Sequence, residues 1–238
     1  MNKTYAVADL HGQYNLWRQV IEYLDDSDIL YILGDCGDRG PDGWKIIKEA
    51  LKNPRVIYIR GNHDQFLIDS WQADWRLDGL WYYNGGYDTF EAASADQYAD
   101  EYAGMLSRTR HYAKYENTNG QIIHLSHAGF TLMQDDAIPS NDDLLWDRHH
   151  IGDRCDWWPI ENPNDYVVHG HTFCASHSAF AFVNTKLNDT YTVGRYCHGH
   201  KICIDGRCFL NHRIALLDLD TLTETVFYDE EQESEFAD

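Results

Sequence analysis

Seven residues able to hold a metal ion recur in short groups, most of them flanked by glycine. They stand in Asp9-Leu10-His11-Gly12, Gly34-Asp35-Cys36-Gly37-Asp38-Arg39-Gly40, Gly61-Asn62-His63-Asp64, Ser126-His127-Ala128 and Gly170-His171-Thr172. Hard oxygen ligands mixed with imidazoles suit Mn, Fe or Zn better than Ca or Mg alone. Asp9 and His11 are one residue apart and can turn toward one ion, while Asp35 can offer one carboxylate oxygen to each of two ions. Such a set suits two divalent ions roughly 3.5–4 Å apart with a bridging water of lowered pKa, the equipment for cutting a phosphate ester. The neighbouring glycines let the backbone turn tightly around these side chains. Any one group alone is a weak signal; the ordered series is a strong one.

The segments that precede these groups share a pattern. Tyr5–Ala8, Ile29–Leu33, Arg55–Ile59, Ile122–Leu125 and Tyr166–Val168 are short runs dominated by apolar, mostly β-branched or aromatic residues, and each ends at a ligand-type residue. Runs of this kind predict strands of a largely buried sheet. The amphipathic stretches Tyr14–Leu24 and Trp44–Leu51 predict crossover helices between the first three. The expected fold is therefore α/β, with the site beyond the carboxyl ends of the strands. From Gln65 to about Lys114 the pattern becomes helical, with Trp71, Trp75, Trp81, Tyr82 and Tyr83 in one half. This reads as an insertion over the sheet, its aromatics serving as core or as one wall of the cleft. Ile214–Thr223 alternates like a closing strand or hairpin, and Asp229–Asp238 reads as an acidic, frayed tail. With no linker in view, the expectation is one domain over residues 1–238.

Composition narrows the partners. The chain has 238 residues, 43% of them hydrophobic, with 39 acidic and 19 basic side chains and a formal charge of -20. That is enough to bury a full core and too acidic to suit a nucleic acid, which is bound through clustered Lys and Arg. No run of about 18 apolar residues occurs, so no membrane span is expected. Asp9 lies too near the start for a leader to be cleaved without loss of the site, which predicts a cytoplasmic location and reduced cysteines.

The motif set resembles the calcineurin-like metallophosphoesterase superfamily, and within it the phosphoprotein phosphatase branch of bacteriophage-lambda-type and bacterial serine/threonine phosphatases. The resemblance runs from Asp9 to about Asp205 and implies a four-layer α/β/β/α sandwich. It also implies that Asp9, His11 and Asp35 hold a first metal, and that Asp35, Asn62, His127 and His171 hold a second, with Mn expected and Fe or Zn possible. His63 would be the general acid, Asp38 would orient it, and Arg39 and Arg148 would grip the phosphoryl oxygens, with Arg60 as a substitute for Arg148. The chemistry is coherent on its own terms. Charge on equatorial phosphoryl oxygens suits bidentate guanidinium groups, and an alkoxide leaving group needs a proton that a near-neutral imidazole can give. A carboxylate behind His63 would fix its tautomer and raise its pKa.

Gly170-His171-Thr172-Phe173 lacks the second His with which nuclease-like members close. Asp38 is present where diadenosine tetraphosphate hydrolases tend to lose it. Asp64 stands where eukaryotic members carry Glu. The expected activity is a phosphomonoesterase acting on a phosphorylated protein or a small phosphoester. A symmetrical diadenosine tetraphosphate hydrolase is the alternative, and a non-catalytic scaffold the alternative of another class. Cys197, His198, His200, Cys203, Cys208 and His212 crowd one segment and could suggest zinc, but no Cys-x-x-Cys pair occurs, and buried thiols are the plainer reading. His198 and His200 could still reach the cleft. His124, His149, His150 and His169 read as ordinary hydrogen-bonding residues, and Cys36 as a thiol open to oxidation.

Overall fold

Alternation in the short apolar runs sends their side chains to two different cores. In β1 (Thr4–Val7) Tyr5 and Val7 face helices, while Ala6 faces a second sheet. This arrangement is seen in a computed structural model, which describes residues 2–130, 138–152, 165–174 and 192–229. Strands β1, β2 (Ile29–Ile32) and β3 (Val56–Tyr58) pair in parallel. The first sheet begins in register Thr4 to Ile29. Helices α1 (Tyr14–Tyr23) and α2 (Gly43–Lys52) make the crossovers, burying Leu16, Trp17 and Val20, and Trp44, Ile46, Ile47 and Ala50. Helix α2 stops at Asn53, ahead of Pro54, whose ring disfavours helical geometry in the residue before it.

Four helices follow: α3 (Asn62–Gln72), α4 (Gly79–Tyr83), α5 (Tyr87–Ser94) and α6 (Ala99–Leu106). The second sheet is built from β4 (Tyr112–Glu116), β5 (Ile122–Ser126), β6 (Asp165–His169), β7 (Gly194–Tyr196) and β8 (Lys201–Cys203), in the order β4-β5-β6-β8-β7. Two short helices, α7 (Asn141–Trp146) and α8 (His149–Gly152), lie before β6, and α9 (Cys208–Asn211) precedes the closing hairpin. That hairpin, β9 (Arg213–Asp218) and β10 (Thr223–Tyr228), joins the first sheet antiparallel to β1, giving β10-β9-β1-β2-β3.

The two sheets meet face to face through Ala6, Ala8, Leu33 and Ile59 on one side and Ile123, Leu125, Val168 and Ile202 on the other. On the outer face of the first sheet, α1, α2, α3 and α6 pack with Tyr5, Val7, Leu30 and Ile32. On the other outer face, Leu144 of α7 packs with Phe130 and Val167, and Ile151 of α8 with Tyr196 and Cys203. The layers are thus α/β/β/α, as the sequence led us to expect. Strand β4 opens at Tyr112, inside the stretch expected to be helical, because Ala113 and Tyr115 turn to the core between the sheets while Lys114 and Glu116 are exposed, and the run pairs with β5. Of the acidic tail only Asp229 lies among the described residues. No helix among the described residues is long and apolar enough to cross a membrane.

Candidate active site

The carboxyl ends of β1, β2, β3, β5 and β6 converge at one edge of the sandwich. There Asp9, His11, Asp35, Asn62, His63, His127 and His171 come together, each at most 6% exposed. The loops that carry them are tied to one another: Asp9 N–H donates to Gly34 O at 3.1 Å and His11 N–H to Asp35 O at 2.9 Å. Asp9, His11, Asp35, Asp38, Arg39 and His171 all have positive φ, from 40° to 69°. Residues with a Cβ rarely adopt that conformation unless the surroundings impose it, and such backbone clusters at functional sites. Gly170 admits no side chain, because a Cβ there would run into the Asp9 carboxylate and Ala8.

Within this cluster, ligand atoms of Asp35, His127 and His171 lie within 4.8 Å of one another, and so do those of His11, Asp35 and His63. Asp35 belongs to both groups, as a bridging carboxylate would. Asp9 Oδ1 is 3.9 Å from His11 Nε2, and Asn62 Oδ1 is 2.8 Å from His127 Nε2 and 2.9 Å from His171 Nδ1. All six residues expected to ligate metal are therefore assembled.

The donor chemistry fits cations. Leu33 O and Gly37 O can only accept, so His127 and His11 place their protons on Nδ1, at 2.7 Å and 2.9 Å, and turn Nε2 lone pairs inward. The His127 lone pair then meets another acceptor, Asn62 Oδ1. A cation between these two acceptors would satisfy both, and burial drives the His127 pKa down, against a proton in that place. Burial likewise lowers the pKa of His11 and His171 and, with Asp205 and Asp35 nearby, raises that of Asp9. Burial also opposes ionisation of Asp35, but His127, His63, His11 and His171 around it outweigh that and hold it ionised.

A second group flanks the first. His63 Nδ1 donates to Asp38 Oδ2 at 2.6 Å, and Arg39 Nη2 lies 3.0 Å from His63 Nε2. Burial disfavours protonation of His63, yet the carboxylates of Asp35 and Asp38 win and its pKa is raised. Arg39 also donates to His11 Nε2 at 2.6 Å. Arg148, exposed between α7 and α8, stands close enough that its charge helps depress His127 and His171. Arg60 is no substitute for it. Its buried guanidinium is spent on the carbonyls of Leu106, Ser107 and Thr109 and on Gln65. Asp64 braces the loops, accepting from the N–H groups of Gly61 (2.8 Å) and Asp35 (3.1 Å) and from Tyr58 Oη (2.9 Å).

Three participants were given no role at the site by the sequence. Trp81, fully buried, donates its indole N–H to Asp38 Oδ2 at 2.7 Å, and Thr89 Oγ1 accepts from the Asp38 N–H at 2.8 Å. Asp205, 1% exposed, has its pKa pushed up to about 7 by burial, and acts electrostatically on Asp9. The remaining candidates serve the fold. His200 Nδ1 donates to Asp165 O at 3.0 Å and stacks on Tyr166, away from the cleft, and His198 is exposed. Sγ of Cys203 donates to Thr172 O, and Sγ of Cys208 to Asp9 O. Cys36 is fully buried and burial pushes its thiol pKa well up, so the expectation of a thiol open to oxidation is not met. Cys36, Cys174, Cys203 and Cys208 are free and buried; Cys197 is disulfide-bonded, which corrects the expectation that every cysteine is reduced.

Comparison with known proteins agrees with this geometry. The family described as calcineurin-like phosphoesterase matches residues 3–175. Serine/threonine-protein phosphatase 2 of Escherichia coli (strain K12) is 26% identical over 188 residues, 74% of this chain and 83% of its own length. A symmetrical bis(5'-nucleosyl)-tetraphosphatase of Buchnera aphidicola is 43% identical over 70 residues, 27% of this chain and only 25% of its own. A crystal structure assigned provisionally as a diadenosine tetraphosphatase shares the fold with a TM-score of 0.62 at 18% identity, over 95% of this chain and 93% of that one. The chain belongs to the calcineurin-like phosphoesterase family and is accordingly a phosphoric ester hydrolase.

Proposed function

We propose that the chain is a phosphomonoesterase of the bacterial serine/threonine protein phosphatase type, working with two divalent ions, Mn first and Fe or Zn as alternatives. The observation that carries this reading is the buried His63–Asp38 pair, 2.6 Å apart, set beside the two groups of ligand atoms that share Asp35. Asp9, His11 and Asp35 would hold one ion, and Asp35, Asn62, His127 and His171 the other. Bound there, the ions would supply Lewis acidity toward the phosphoryl oxygens and a water of lowered pKa for in-line attack.

The chain's own residues do the rest. Arg39 and Arg148 hold the equatorial oxygens as charge builds on them. His63, kept protonated by Asp38, gives its proton from Nε2 to the leaving oxygen. Asp38 Oδ2, fixed by Trp81, keeps the His63 proton on Nδ1 and the ring in place. A dedicated acid is most useful when the leaving group is a poor one, such as the hydroxyl of a phosphorylated side chain or of a small phosphoester. Coverage of most of the E. coli phosphatase supports the protein phosphatase assignment. Cleavage of dinucleoside tetraphosphates is the second reading, favoured by the 43% identity over 70 residues.

The test is hydrolysis of p-nitrophenyl phosphate with added Mn and its loss on chelation. Metal-replete protein without that activity would sink the proposal. A turnover panel of phosphopeptides, nucleotides and diadenosine tetraphosphate then separates the two readings.

A further inference from the structure

A stack of aromatic rings and guanidinium groups continues from the site to a third arginine. Phe209 meets His11 edge-on, with ring centroids 5.4 Å apart, and carries the Arg39 guanidinium 4.8 Å above its centroid. Phe173 carries the guanidinium of Arg207 at 4.6 Å. Each arginine also reaches the other ring, Arg39 over Phe173 at 5.9 Å and Arg207 over Phe209 at 6.0 Å. Both guanidinium groups therefore lie within 6.0 Å of the same pair of rings, one of them the group assigned to the scissile phosphate.

Arg207 is held in place without being used up. Its backbone is left-handed, with φ 59° and ψ 48°, an unfavourable conformation for a long side chain. The backbone is fixed on both sides: its N–H donates to Asp205 Oδ1 at 2.9 Å, and its carbonyl accepts from Leu210 at 3.0 Å and Asn211 at 3.1 Å. The guanidinium, by contrast, makes no ion pair among the described residues, and its Nε is buried without a hydrogen-bond partner. Its charge acts on Asp205, yet no carboxylate reaches the guanidinium within ion-pair distance among the described residues, in a chain with 39 acidic and 19 basic residues. Stacking on aromatic rings fixes the plane of the fork while leaving its N–H groups free to donate. An unsatisfied donor pays a desolvation penalty that an incoming anion would relieve.

We propose that Arg207, stacked on Phe173 and Phe209, is a second anion subsite, which binds a phosphoryl or carboxylate group carried by the substrate close to the scissile phosphate. The proposal rests on the reading of Arg39 as the arginine that holds the scissile group. It makes the enzyme selective for substrates with two neighbouring anionic groups, and Arg207 the residue that reads the second.

Calorimetric titration tests this with full-length, Mn-loaded protein carrying His63→Asn to slow turnover, at fixed free Mn. Two ligand pairs serve: AMP against ADP, which differ by one phosphoryl group, and phenyl phosphate against 4-carboxyphenyl phosphate, which differ by one carboxylate. With Arg207 present, the member with two anionic groups should bind roughly ten- to a hundredfold more tightly in at least one pair, the effect of one charge-assisted contact. Arg207→Asn, chosen because Asn tolerates left-handed backbone, should bring that ratio close to one, and Arg207→Lys should keep part of it. The pair that responds identifies the anion. An unchanged ratio in Arg207→Asn overturns the proposal, as does the absence of any preference while Arg207 is present. Absence of p-nitrophenyl phosphate hydrolysis by the wild-type protein would instead overturn the functional reading, and leaves the binding ratios interpretable.

Discussion

Replacing Trp81 by Phe removes one proton donor from behind the proposed acid and touches nothing that meets the substrate. The indole N–H donates at 2.7 Å to Asp38 Oδ2, the same oxygen that accepts from His63 Nδ1 at 2.6 Å. Asp38 is 1% exposed and its other oxygen, Oδ1, is buried with no hydrogen-bond partner. The carboxylate thus depends on these two side-chain donors. A hydrogen bond to a charged group contributes about 1.5–3 kcal/mol, so complete expression of its loss in the transition state would lower turnover roughly ten- to 150-fold. Phe keeps much of the ring volume and the edge-on contact with Phe90, so the packing loss is the smaller effect. Leaving-group dependence separates the two causes. A p-nitrophenolate departs readily without a proton, whereas a more basic phenolate needs one. Across aryl phosphates graded by leaving-group pKa, the deficit of Trp81→Phe in kcat/KM should be small for p-nitrophenyl phosphate and grow toward the basic end. A deficit equal for all of them would show that Trp81 only packs the fold, and no deficit would show that Asp38 does not need it. Metal content and melting temperature, measured on the same samples, exclude a general loss of structure.

Other consequences are simpler to check. His63→Asn should cut turnover by roughly 10²–10⁴-fold with metal content near wild type; unchanged turnover would refute the acid role. Gly170→Ala drives a methyl group into the Asp9 carboxylate, so the stoichiometry of bound Mn should fall, and an unaltered stoichiometry by elemental analysis counts against Asp9 as a ligand. In metal-free protein, burial pushes the carboxyls of Asp64 and Asp205 up to about 7. A carboxyl whose pKa is raised on folding binds its proton more tightly in the folded state. Its contribution to stability is therefore present below its unfolded pKa of about 3.9 and lost as pH rises through the folded value. Below about pH 6.5 the buried histidines with lowered pKa, among them His11, His127 and His171, gain stability as pH rises and oppose this loss, so the melting temperature of chelator-treated protein should drop between about pH 7 and pH 8, and added Mn should raise it most at the alkaline end. A chelated protein whose melting temperature holds or climbs over that range would contradict the assignment.

What could be read from the sequence was whatever a strand end displays locally. Buried parallel strands are short continuous apolar runs, and a residue just past such a run must point into the edge where the strands converge. Asp9, Asp35, Asn62, His127 and His171 were legible for that reason, and the glycines beside them marked where backbones pass too close for a side chain. The same local logic misplaces Arg60. It adjoins Gly61-Asn62-His63 in sequence, yet its guanidinium ties down the carbonyls of Leu106, Ser107 and Thr109 at the end of α6. Trp81 fails in the opposite sense, lying 43 positions from Asp38 and on a five-residue helix with no periodicity to read. Only the packing of α4 under the Asp38-Arg39 turn gives it a role, and Gly86, where a Cβ would strike the Trp81 indole, shows how closely that packing is set. Arg207 was invisible for a third reason. A single arginine before a four-residue helix carries no signature, and its significance lies in two phenylalanines, one 34 residues earlier and one two residues later, that it shares with Arg39. Metal ligands are fixed by backbone geometry that the sequence spells out. The groups that tune the acid and read the substrate are fixed by contacts between distant elements, and these leave no mark on the chain.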